Sequence, residues 1–389
     1  MEANKTFEDT KVTRPVASFK PPIWDYVFIQ SLRSKYGDEH YVERRDMLME
    51  KVKTMIDTVE NPLHQLELID VLQRFGLAYL FKEELKTNLD NIYNEYVVQS
   101  DTWKMNNLYA IGLAFRLFRQ HGFDVSPDIF SSFQEDTEIL PQNISRNMSM
   151  KTKIRMYQLL VEHALEFPLH WRPPRLEARW FINVCERKPN INPILLELAK
   201  LDFNIVQATH LEELKHVSRW WKRTGLPNKL GFLRDRLMES YIWQPEMAFE
   251  PEFGHFRTTC SKLFAMMTML DDIYDSYGTL EELEVLTDSF KRWDTSLMDK
   301  LPEPMKILFL AIHNNVNEVA FEILRDQGFN VIPCLKKYWA EYCEGYLVEA
   351  RWLHNGYKPS LQEYLDNACN SIGVRLVMVH AYFATCKPT

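Results

Sequence analysis

From Trp24 onward, apolar residues recur at helical spacing almost without interruption, and no stretch alternates apolar with polar residues over any length. Glycine is scarce, 12 of 389 residues, and neither a GxGxxG nor a P-loop pattern occurs. These observations argue against a nucleotide-binding α/β protein and predict an all-helical one. A chain of 389 residues with 46% hydrophobic content exceeds what one core usually holds, so two domains are expected.

Local signals punctuate the helices. Asn61-Pro62 reads as a cap followed by Pro at the first helical position, with Leu66, Ile69, Leu72 and Phe75 following at helical spacing. Trp103 to Phe118 is amphipathic and ends near His121-Gly122. Thr279 with Glu282 forms a capping box, and Pro304 opens a helix that stops at Gly328. Periodicity fails between Gln134 and Asn147. Val374 to Phe383 reads as a buried helix close to Lys387-Pro388-Thr389, and so apolar a helix expects partners to cover it.

Charge and composition narrow the partners. The net charge of −8 comes with no basic stripe, so nucleic acid is not expected as a partner. No apolar run approaches 18 residues, which predicts no membrane span. Cys185, Cys260, Cys334, Cys343, Cys369 and Cys386 contain no CxxC pair or zinc spacing and read as reduced thiols. Eleven histidines give no HExxH. Met1 to Asp9 is acidic with no apolar segment, so neither a signal nor a transit peptide is expected and the predicted location is cytoplasmic.

The chemistry concentrates where the apolar stretch Leu263–Leu270 meets Asp271-Asp272-Ile273-Tyr274-Asp275. On a helix, Asp271 and Asp275 share a face and Asp272 lies about 100° round. The helix is expected to end near Ser276-Tyr277-Gly278. Carboxylates at a helix C-terminus oppose its dipole and need a cation beside greasy surface. Mg²⁺ prefers one or two carboxylates plus substrate phosphates, so a phosphate-bearing substrate is the sharp reading. A solvated acidic helix end is the bland one, and for an isolated DDxxD the commoner. Upstream, Arg234-Asp235-Arg236 offers two guanidiniums suited to bidentate phosphate binding, against the alternative of a surface salt-bridge cluster. Trp243 fits a pocket wall that steadies a carbocation by cation–π attraction, or plain core.

Taken together these features resemble plant terpene synthases. Arg14-Pro15 with Trp24 is similar to the family's N-terminal Arg-(Arg/Pro)-x8-Trp motif. Trp24 to Leu32, Pro174 to Phe181, Ala199 to Asn204 and Ser218 to Lys222 continue in the family style, and Asp271 to Asp275 followed by Tyr277-Gly278-Thr279 resembles its first metal motif. The resemblance implies two all-α domains: after an arm over residues 1–13, an N-terminal α-barrel-like domain over 14–191, and a partial class I α-bundle over 192–389 carrying the catalytic site. It implies that Asp271 and Asp275 bind Mg²⁺, with Mn²⁺ as a substitute, and that Asp272 supports them. Arg234 and Arg236 would hold the departing diphosphate, Trp243 would line the pocket, and Arg14-Pro15 would help close it. The implied substrate is a prenyl diphosphate, geranyl or farnesyl, and the implied state a monomer.

The chain departs from the family in one respect that matters for chemistry. Of the 114 residues after Asp275, none form the second metal motif, (Asn/Asp)-Asp-x-x-(Ser/Thr)-x-x-x-Glu. Two alternatives therefore stand beside an active synthase: a short-chain prenyltransferase, disfavoured by the Arg-Pro-x8-Trp arm, and a catalytically inactive relic that binds diphosphate or associates with itself through exposed apolar surface.

Overall fold

The computed structural model describes residues 19–95, 108–133, 158–187 and 191–385. The arm over 1–13, Arg14-Pro15, the irregular Gln134–Asn147 and the last residues from 386 lie outside them, as does the start of the Trp103–Phe118 stretch. Among the described residues there is no strand. In chain order the helices are α1 (Tyr26–Ser31), α2 (Glu39–Thr58), α3 (Pro62–Arg74), α4 (Lys82–Tyr93), α5 (Leu108–Gln120), α6 (158–166), α7 (Pro174–Cys185) and α8 (Pro193–Thr224). They continue with α9 (Leu226–Lys229), α10 (Leu237–Met247), α11 (Gly254–Ser276), α12 (Leu280–Arg292), α13 (Glu303–Gln327), α14 (Ile332–His354), α15 (Leu361–Ser371) and α16 (Val374–Thr385).

Two compact units form. One is Ser34–Thr209; the other begins at His210, inside α8, and takes in residues 19–33 as well. Asp25 caps helix α1 through Phe28 N–H at 2.7 Å. Gln30 then donates to the Lys215 carbonyl at 3.0 Å and to Ser218 Oγ at 2.7 Å.

The first unit has a core of Leu66, Leu72, Phe75, Phe81, Leu117, Phe118 and Leu198, all essentially without solvent contact. Asn61 caps α3 through the N–H groups of Leu63 and His64. The stretch Pro174–Phe181 has a structural explanation. Glu177, 6% exposed, is held by Arg74 at 3.2 Å, Arg172 at 3.0 Å and a His163 ring nitrogen at 2.8 Å. Burial pushes the Glu177 carboxyl up, and these three partners more than offset it, leaving it below the usual range. Asp202, from the Ala199–Asn204 stretch, accepts the Tyr79 hydroxyl at 2.6 Å, and burial raises its pKa.

The second unit is organised round α11. Leu263, Met269, Leu270 and Ile273 sit in one core with Phe290, Phe309 and Trp339. The N-terminal end of α11 is fixed by Arg257, which is fully buried. It grips Glu213 on both oxygens at 2.8 and 2.7 Å and donates to the carbonyls of Ala248 and Glu250 at 2.7 Å. The Thr279/Glu282 capping box opens α12 as read from the sequence, and Gly328, at φ 76°, closes α13.

Three readings change. First, α13 is long and apolar enough to cross a membrane by length and composition alone, which the lack of an 18-residue apolar run does not reveal. Its apolar stripe of Leu308, Phe309, Ile312, Val316 and Ile323 instead forms part of this core. Second, Gly278 is required by packing rather than by a left-handed stop. A Cβ there would lie 2.5 Å from Leu283 and 2.8 Å from Met305. Third, α16 is not buried all round. Leu376 and His380 face α11 and α14, whereas Met378 (63%) and Tyr382 (61%) are open to solvent. Arg375, unexpected in an apolar run, lies on the exposed side and donates to Asn370 at 3.1 Å. The bend between α15 and α16 falls at Gly373, φ 75°.

His380 gives a pH prediction. Its ring lies in the core, Nδ1 is 2.8 Å from the Leu376 carbonyl, and burial lowers its pKa to about 4. The folded chain thus resists a proton that the unfolded chain accepts near pH 6.5. The associated stability is complete above that pH and is lost as pH falls towards 4, about 3 kcal/mol at most. Urea titrations at pH 7 and pH 4.5 are expected to show this loss, and His380→Leu to reduce it.

Candidate active site

Helix α11 runs through its acidic end and stops at Ser276, with Gly278 N–H on the Ile273 carbonyl at 2.9 Å. The three acids separate as helical geometry demands. Asp272 turns inward and its side chain is 1% exposed, while Asp271 lies on the neighbouring, partly open face at 25%.

The segment before α10 supplies the cation. Arg234 donates its backbone N–H to Asp272 Oδ2 at 2.6 Å and its Nε to Asp272 Oδ1 at 2.6 Å. Its Nη2 reaches Asp271 Oδ2. One guanidinium therefore bridges both carboxylates, and Phe19 stacks over it at 5.2 Å. Burial works against the Arg234 charge, but Asp272 and Asp271 hold its pKa above the ordinary value. Burial raises the Asp272 pKa, with the Arg234 contacts opposing.

Asp271 has a second partner that sequence reasoning missed. The Tyr346 hydroxyl, from α14, donates to Asp271 Oδ1. Asp275 differs from both neighbours, having no hydrogen-bond or ion-pair partner among the described residues. Partial loss of hydration, then the negative charges of Asp271 and Glu349, push its carboxyl up to about 6. Asp271 and Asp275, one turn apart on α11, and Glu349 on α14 thus act on one another, with Arg234 as the opposing charge. A hard divalent cation with oxygen ligands fits that donor set. Among the described residues, no group of three or more His, Cys, Asp or Glu side chains is placed to hold a metal ion, and Asp272 is turned into Arg234.

The remaining predicted residues sit apart from the carboxylates. Arg236 donates to the Lys20 carbonyl at 2.9 Å and to the Asp235 carbonyl at 2.8 Å, tying the chain at Lys20 to this segment. Asp235 accepts the Trp221 indole N–H at 3.0 Å. Trp243 on α10 is 52% exposed and meets Phe264 of α11 edge-on at 5.5 Å. It is neither plain core nor in contact with the acids.

Comparison with known proteins decides the family. The profile described as "Terpene synthase, N-terminal domain" matches residues 23–159, and "Terpene synthase family, metal binding domain" matches residues 222–389. The chain belongs to the terpene synthase family. Terpene synthase 10 of Ricinus communis is 46% identical over 97% of this chain and 74% of its own length. A chloroplastic myrcene synthase of Quercus ilex is 47% identical over the whole chain and 70% of its own length. A limonene synthase crystallised with 2-fluorolinalyl diphosphate superposes with TM-score 0.88 at 36% identity, covering 96% of this chain and 76% of that one. Isoprene synthase of grey poplar (Populus x canescens), in complex with three Mg²⁺ and dimethylallyl-S-thiolodiphosphate, gives 0.78 at 37% identity, covering 94% and 75%. The all-α fold and the lyase class of this family therefore apply to the chain, and the acidic end of α11 lies within its metal-binding domain.

Removing the bridging cation leaves Asp272 buried without its counter-ion. Arg234→Met is expected to lose about 3 kcal/mol of stability in a denaturant titration, and adding Asp272→Asn to recover part of it.

Proposed function

We propose that this chain ionises a prenyl diphosphate with the help of Mg²⁺ and converts the resulting allylic cation to a terpene. The observation that carries this reading is the pair Asp271 and Asp275, one turn apart at the end of α11, with the Arg234 guanidinium already on Asp271. Asp271 and Asp275 would hold the metal. Asp272 holds Arg234, which suits a supporting part for that acid rather than a place among the ligands. When bound, Mg²⁺ neutralises charge building up on the leaving diphosphate.

The protein's own groups do the remainder. Arg234, once exchanged from Asp271 to the diphosphate, offers two parallel N–H donors to its oxygens, and Arg236 offers a second guanidinium on the same segment. As the C–O bond breaks, its electron pair leaves with the diphosphate and the carbon skeleton becomes an allylic cation. Fixed donors aimed at the leaving oxygens favour that charge distribution over the bound ester. The Trp243 and Phe264 rings supply π faces that attract the cation without reacting with it. Loss of a proton, or ring closure followed by loss of a proton, ends the sequence, and water must be kept away until then.

Geranyl diphosphate is the favoured substrate over farnesyl diphosphate, because relatives across nearly the full chain are named for ten-carbon products such as myrcene and limonene. Several of them are named as chloroplastic, which supports a plastid setting over the cytoplasmic one expected from Met1–Asp9. A second reading, diphosphate binding without turnover, is favoured by one observation: among the described residues no group of three or more His, Cys, Asp or Glu side chains is placed to hold a metal ion.

Purified protein incubated with geranyl diphosphate and Mg²⁺ is expected to give volatile terpenes detectable by gas chromatography–mass spectrometry. EDTA should abolish them and Asp271→Ala should reduce them at least about 100-fold, in line with losing several kcal/mol of charge stabilisation. No product from folded protein would favour the second reading; product unaffected by EDTA and by Asp271→Ala would contradict both.

A further inference from the structure

The carboxylate of Asp271 is engaged on both oxygens by different elements: Oδ2 by Arg234 and Oδ1 by Tyr346. The two partners are not alike. Arg234 is a charged side chain whose other contacts, to Asp272, survive if its Nη2 leaves Asp271. Tyr346 has no such freedom. It is 9% exposed, its ring packs on Tyr274 at 5.4 Å and edge-on against Tyr342 at 5.0 Å, and the Tyr342 hydroxyl lies 3.4 Å from its own.

Buried tyrosines elsewhere in this unit satisfy their hydroxyls differently. Tyr241 uses the His210 carbonyl and Glu213, and Tyr274 pairs with Thr287 Oγ1 at 2.8 Å. Tyr346 instead fixes Asp271, the acid that reaches the guanidinium from the partly open face and stands one helical turn from Asp275. A neutral hydroxyl on one oxygen leaves the charge of the carboxylate intact and restricts its rotation, which is how outer partners orient metal ligands.

We infer that Tyr346 is a positioning residue: it holds Oδ1 of Asp271 so that Oδ2 is presented to a divalent cation in exchange for Arg234. This deepens the proposed function and rests on its assignment of Asp271 as a metal ligand. It does not require turnover.

The test is Mn²⁺ binding to the full chain in the presence of inorganic diphosphate, followed by electron paramagnetic resonance of free Mn²⁺. Tyr346→Phe is expected to bind Mn²⁺ about tenfold more weakly with an unchanged melting temperature, since the ring and its packing remain. Tyr342→Phe, which spares the Tyr346–Asp271 contact, should bind as wild type does. In the Asp271→Asn background, Tyr346→Phe should cost nothing further, and this cycle separates orientation of Asp271 from a general structural effect. Wild-type Mn²⁺ affinity in Tyr346→Phe overturns the inference and leaves the metal assignment standing. Absence of Mn²⁺ binding in wild type overturns both.

Discussion

The bridge from Arg234 to Asp271 and Asp272 is the interaction on which this site depends. Acids at the C-terminal end of a helix face the negative end of its dipole, and Asp272 is removed from water as well. Such a group persists in the core only when a positive charge and directed hydrogen bonds accompany it. Arg234 provides both, with its backbone N–H and Nε on Asp272 and its remaining arm on Asp271. The same helix is fixed at its other end by a buried pair, Arg257 with Glu213. Helix α11 is therefore held at both ends by guanidinium–carboxylate contacts, while the apolar stretch between them fills the core.

This arrangement links stability to chemistry. The guanidinium that makes Asp272 tolerable in the core also stands next to Asp271, where an incoming anion and cation would meet it. Asp275 has no such partner among the described residues, and burial first, then the charges of Asp271 and Glu349, raise its pKa. The site thus keeps Asp272 and Asp271 paired with Arg234 and leaves Asp275 without a hydrogen-bond or ion-pair partner among the described residues. In the proposed function a bound cation would offset the charge of Asp271 and Asp275, and a diphosphate would be the anion that draws Arg234 away.

Much of this was legible in the sequence, for identifiable reasons. Helices follow from periodicity, and their ends from local chemistry, as at Asn61, Thr279 with Glu282, and Gly328. The three acids lie within five residues, so one helix fixes their mutual angles. Tyr346 and Glu349 were not legible, since they lie on α14 and nothing local ties that helix to α11. The pairing of Arg234 with two acids, while Arg236 instead ties to Lys20, depends likewise on how the turn before α10 meets α11. Hydropathy found α16 but not its exposure, because an apolar face does not state whether a partner covers it. Gly278 looked like a helix stop, yet its role comes from Leu283 and Met305, which only the folded chain brings near.

The most direct test of the account is calorimetric titration of inorganic diphosphate into the protein with and without Mg²⁺. Saturable binding that requires Mg²⁺ and is lost in Asp275→Asn is the predicted result. Equal binding in the absence of Mg²⁺, or binding indifferent to Asp275, would contradict the claim that the acidic end of α11 is a cation-dependent diphosphate site.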